Sequence, residues 1–120
     1  MSVFNVLASK EVGTVMFSIG FAMSLKPGCY AQYKHYHDHL WPEIASSMAD
    51  NEVSMAIFRM GERLIVHATA PTEDGWNRSR NFAKLDEWHE LMKLVLKCDS
   101  GGSIAVEPLE PAFEFGMFAS

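Results

Sequence analysis

Residues 14–25, TVMFSIGFAMSL, are apolar on both alternations and rich in β-formers, which predicts a strand dry on both faces. Lys26-Pro27-Gly28 is turn chemistry and ends it. From Cys29 to about Ala49 the period becomes helical. At about 100° per residue, Tyr30, Tyr33, His37, Leu40, Trp41 and Ile44 share one arc. Gln32, Lys34, His35, Asp38 and His39 fall outside it. Pro42 removes a backbone donor and disfavours helical geometry at Trp41. A kink is therefore expected, or two abutting helices with Pro42 near the start of the second.

Asp50-Asn51 closes that stretch. Glu52–Arg59 and Arg63–Ala70 are strand-like runs, and the glycine-bearing link Met60-Gly61-Glu62 predicts an antiparallel hairpin. Thr72, followed by Glu73 and Asp74, has the signature of a helix N-cap. A short helix is expected over 75–83 and a longer one over 85–97, where Leu85, Trp88, Leu91, Met92 and Val95 keep helical spacing. Asp99–Ser103 reads as a loop. Pro108 and Pro111 punctuate the last stretch, and 113–118, FEFGMF, reads as an edge strand. The order βαββαβ predicts an α+β sandwich of the ferredoxin-like type, two helices on one face of an antiparallel sheet. The other face then needs cover, which a homodimer would supply.

With 120 residues, one domain over 14–120 is expected, preceded by an N-terminal arm over 1–13 that shows no clean period. A hydrophobic fraction of 48% and a charged fraction of 21% exclude a disordered tail, a collagen-like fibre and a disulfide-dense mini-protein. The formal charge of −5 argues against a nucleic-acid partner. The longest uncharged run, Val12–Leu25, is too short to span a bilayer, so no membrane partner is expected. Cys29 and Cys98 form no CxxC pattern and suit free thiols in a reducing compartment. The N-terminus lacks a basic region ahead of an apolar one, and the cytoplasm is the expected location.

Reactive side chains concentrate in Tyr30–Glu43, YAQYKHYHDHLWPE. His35, His37 and His39 would point the same way in a strand and could share a metal. In a helix only His35 and His39 share a face, so no metal site is expected. Tyr33, His37 and Trp41 instead follow i, i+4, i+8 spacing on the apolar arc. An aromatic plane covers the apolar face of a sugar ring, and polar tips bond its hydroxyls. An imidazole with an ordinary pKa near 6.5 exchanges protons at neutral pH. The same spacing also describes an aromatic core with one hydrogen-bonded histidine, which is the commoner arrangement.

The residues themselves are more specific than their spacing. The pattern Y-x-x-x-H-x-x-x-W-P-E-[IL] is realised as Tyr33, His37, Trp41, Pro42, Glu43 and Ile44. With FAMSLKPG before it and W-x-E-L-M near residue 90, the chain resembles the L-rhamnose mutarotase family, including its L-fucose mutarotase-like members, over roughly Phe21 to Phe115. The resemblance implies a dimeric α+β barrel that interconverts the α and β anomers of a free 6-deoxyaldose without a cofactor. It implies that His37 is the proton donor and that Tyr33 contacts the sugar. Trp88 matches the first of two adjacent tryptophans, and the second position is His89 here. Where rhamnose-type members carry a substrate tyrosine on a strand, this chain has Met55. Trp41, Met55 and His89 join Tyr33 and Trp88 as expected substrate contacts. The two departures leave the reaction type standing and open the identity of the sugar.

Such a reaction needs an acid at the ring oxygen and a base at the anomeric hydroxyl. His37 is the expected acid; Tyr33, His89 or a bound water is the base. General acid–base catalysis supplies about 10² to 10⁴-fold, enough for a reaction that already proceeds unaided. Two rivals share the architecture: a dimeric-barrel monooxygenase using haem or quinol, and a non-catalytic sugar-binding module. Of the remaining residues, His67 is expected in or near the core and Trp76 in packing. Glu43 would either cap a helix or face the pocket.

Overall fold

Strand β1, Phe17–Ser24, pairs antiparallel along its whole length with β3, Arg63–Ala70. Strand β2, Ser54–Met60, flanks β3, and β4, Glu107–Pro108, flanks β1. The sheet order is therefore β2-β3-β1-β4. Helices α1 (Tyr30–Asp38) and α2 (Pro42–Asp50) connect β1 to β2, and α3 (Glu73–Ser79) and α4 (Ala83–Met92) connect β3 to β4. This is the ferredoxin-like α+β arrangement that the element order predicts. The computed structural model describes residues 15–119, and the expected arm over 1–13 lies outside the described residues.

Local chemistry accounts for the boundaries. Pro42 stands at the first turn of α2, and Trp41 before it is extended, at φ −64° and ψ 136°. The predicted break is thus two helices rather than a kink. Thr72 caps α3, its Oγ1 accepting the Gly75 N–H at 3.0 Å. Gly61, at φ +61°, supplies the left-handed residue of the β2–β3 turn.

One alternation of each central strand faces the helices. Leu64, Val66, Ala68 and Ala70 of β3 are buried. Leu64 packs in a core with Leu25, Tyr33, Ile44, Leu85, Trp88, Met92, Val95 and Leu96. Ala68 and Ala70 form a second cluster with Trp76, whose ring lies 6.4 Å from that of Phe17.

Four expectations need correcting. Helix α4 stops at Met92, not near Lys97. There the chain turns to meet the end of β1: the Lys97 N–H donates to Ser24 O and the Lys26 N–H to Val95 O. Val95 and Leu96 are buried because they close that end of the sheet, so their apolar character mimics a helical period. The last strand is residues 107–108, not 113–118, and Gly116–Phe118 is a single 3₁₀ turn. Pro108 and Pro111 lack the donors a longer ladder would use. His67 is exposed, because it takes the alternation pointing away from the helices; its Nε2 lies 3.0 Å from Ser18 Oγ. Finally, β1 is mostly half-buried, with only Ala22 buried. Its outer alternation is covered in part by Leu109 beside Gly20, while Phe118 sits against His67.

Candidate active site

The sheet register builds the floor of a cavity. Phe21, Val66 and Ile57 stand side by side across β1, β3 and β2, and Ile19, Ala68 and Met55 form the next row. Helix α1 lays Tyr33 and His37 over this floor, and α4 contributes Leu85, Trp88, His89 and Met92. The cavity, open on one side, has a volume of about 830 Å³, within the range of small-molecule sites. Of the six residues predicted to form the site, the structure brings Tyr33, His37, Met55, Trp88 and His89 together as cavity lining.

Trp41 is different. The extended backbone at the α1–α2 junction turns its ring behind Trp88, which it meets edge-on at 5.2 Å and 80°, and it does not line the cavity. The i+8 spacing assumed one unbroken helix, and Pro42 interrupts it. Glu43 is exposed at the start of α2 and also lies outside the cavity. His35 and His39 lie with their rings 4.4 Å apart, tilted by 36°, on the exposed side of α1, away from His37.

Around His37 the geometry is tight. Its ring stacks on that of Tyr33 at 4.2 Å and meets Trp88 edge-on at 5.3 Å. Its Nδ1 lies 3.0 Å from the Tyr33 carbonyl oxygen. A carbonyl only accepts, so Nδ1 carries the hydrogen and Nε2 keeps its lone pair when the ring is neutral. Burial is the largest influence on this imidazole and pushes its pKa down; the Tyr33 carbonyl opposes it in part. His37 is therefore neutral at neutral pH. Burial pushes the Tyr33 phenol up, so it stays protonated and keeps its O–H. His89 is pushed down, first by burial and then by the positive charge of Arg80.

Sequence reasoning missed Arg80. This residue caps the C-terminal end of α3, stacks its guanidinium over Trp76 at 5.2 Å and lines the cavity. The i, i+4 spacing of Trp76 and Arg80 was the available signal. It pointed to contact between the two, not to a cavity.

A ferredoxin-like fold with a histidine set between aromatic rings over an apolar floor defines a class of small-molecule enzyme site, and the comparisons specify it. The sequence pattern of the L-rhamnose mutarotase family matches residues 18–115. An L-rhamnose mutarotase of Leptothrix cholodnii is 32% identical over 98 residues, covering 79% of this chain and 92% of that protein. One from Tolumonas auensis is 30% identical over 91 residues, covering 73% and 88%. The crystal structure of an L-rhamnose mutarotase from Formosa agariphila superposes with a TM-score of 0.69 at 26% identity, covering 82% of this chain and 98% of that one. The chain belongs to the L-rhamnose mutarotase family, and it is an isomerase of the mutarotase type.

Proposed function

We propose that this chain interconverts the α and β anomers of a 6-deoxyaldose, L-rhamnose or L-fucose, with His37 as the proton-transfer group. The observation that carries the reading is the state of that imidazole. Its Nδ1–H is tied to the Tyr33 carbonyl, it lines the cavity, and its Nε2 makes no hydrogen bond among the described residues.

In its resting neutral form His37 accepts before it donates. Nε2 takes the proton of the anomeric hydroxyl as the bond from C1 to the ring oxygen breaks and the aldehyde forms. The imidazolium then gives that proton to the departing ring oxygen. After rotation about C1–C2 the same steps run backwards on the other face of the carbonyl, and no net proton is consumed. The acid expected at the ring oxygen is thus the second half of one shuttle, and the base is the same nitrogen. Tyr33, held protonated, donates a hydrogen bond to the sugar. Trp88 and the floor residues Ile19, Phe21 and Ile57 cover its apolar face.

A homodimer completes this reading. The sheet face away from the helices carries Phe58, and the C-terminal segment carries Phe113 and Phe115, 63%, 83% and 79% exposed. A second copy would cover them. The free thiols Cys29 and Cys98 suit the cytoplasm.

Magnetisation-transfer NMR on L-rhamnose and L-fucose tests the activity, because only a mutarotase carries saturation from one anomer to the other. His37→Asn is expected to reduce the exchange by about 10²-fold or more. Exchange unchanged in that variant would remove His37 from the chemistry. Light scattering in solution tests the dimer, and a monomer at micromolar concentration would reject it.

A further inference from the structure

Arg80 has no counterion among the described residues. Its side chain makes no ion pair and no hydrogen bond among the described residues, although it is only partly exposed. The stack on Trp76 leaves the guanidinium's five in-plane N–H donors unused. No side-chain nitrogen or oxygen among the described residues is both sealed from solvent and unbonded, so these donors reach solvent, and Arg80 lines the cavity. His89 lines the same cavity and feels the Arg80 charge. The carboxylates nearby do not neutralise it. Asp86 and Glu90 are exposed, and Glu90 is engaged with Lys93 at 2.6 Å.

A guanidinium with no protein partner, reached by solvent beside an apolar cavity, keeps its donors available to an anion. Its planar fork matches a carboxylate in bidentate fashion. We propose that Arg80, assisted by His89, forms an anion subsite in the sugar cavity, which takes the carboxylate of a hexuronate, an aldose oxidised at C6. The inference rests on the mutarotase reading for the anomeric end of the sugar and extends it at the other end. A 6-deoxyaldose leaves this corner of the cavity to water. A hexuronate fills it with the group that Arg80 lacks.

The test measures binding and exchange separately. D-galacturonate, D-glucuronate and L-guluronate are titrated into the full-length protein by calorimetry, with D-galactose and D-glucose as neutral controls. At least one uronate is expected to bind ten-fold or more tightly than the neutral sugars, and to weaken as salt is added. Arg80→Met should remove that preference. Arg80→Lys, which keeps the charge and loses the fork, should restore part of it. No preference in the unmutated protein overturns the anion subsite without recourse to any variant. A preference that survives in a folded Arg80→Met protein, checked by its melting curve, overturns the role of Arg80. Anomer exchange on L-rhamnose is read on the same unmutated sample. Its failure beside intact uronate binding would reject the mutarotase reading and leave the subsite standing.

Discussion

The Nδ1 of His37 sits 3.0 Å from the carbonyl oxygen of Tyr33, one turn earlier in the same helix. That single bond decides which nitrogen carries the hydrogen of the neutral ring and which keeps a free lone pair. Because burial lowers the imidazole pKa, the base form dominates at neutral pH. Anomer exchange is therefore expected to be flat around pH 7 and to fall as pH drops through a midpoint below 6.5. A pH–rate profile by exchange NMR checks this. A rate that instead rises on acidification would make the imidazolium the resting catalyst.

The same burial links acidity to folding. The folded-state pKa values of His37 and His89 lie below the unfolded value near 6.5, so the unfolded chain binds more protons. Their contribution to stability is fully present above about 6.5 and is lost progressively as pH falls below it. Thermal melts at pH 7 and pH 5 should show a lower Tm at pH 5. The His37→Asn protein should show a smaller drop than the unmutated one.

Trp41 packs against Trp88. Its ring supports the indole that lines the cavity without touching the cavity itself. Edge-on aromatic contacts of this kind contribute about 0.5–1.5 kcal/mol. Trp41→Ala should raise KM for the sugar about 2- to 10-fold and leave the pH midpoint of exchange where it was. Trp41→Phe should recover part of the loss. A shifted midpoint would mean that Trp41 influences His37 directly.

Two substitutions away from the cavity calibrate the fold. Leu64, 1% exposed in the main core, should lose about 2–5 kcal/mol on change to alanine. Thr72→Ala removes the side-chain cap of α3 and should cost about 1 kcal/mol. Urea unfolding measures both, and an equal loss in the two would contradict the burial difference between them.

Much of this arrangement was legible from residues alone. The period change at Cys29, the proline at 42 and the glycine-bearing link at 61 gave the elements and their order. The apolar arc of α1 gave Tyr33 and His37. What escaped depended on tertiary placement. Val95 and Leu96 fit a helical repeat equally well whether they continue a helix or close the end of a sheet. His67 could be assigned to a strand, but which alternation faces the helices is set by the pairing of β3 with β1 and β2. Arg80 lines a cavity only because α3 ends where the cavity begins, and no local pattern encodes that.

Strand β4 pairs with β1 over two residues, the Leu109 N–H adds a bond to Gly20 O at 3.0 Å, and beyond it Leu109 and Phe118 lie across the outer side of the sheet. So short a ladder can detach as a local event, well short of global unfolding. Detachment would bare the outer alternation of β1.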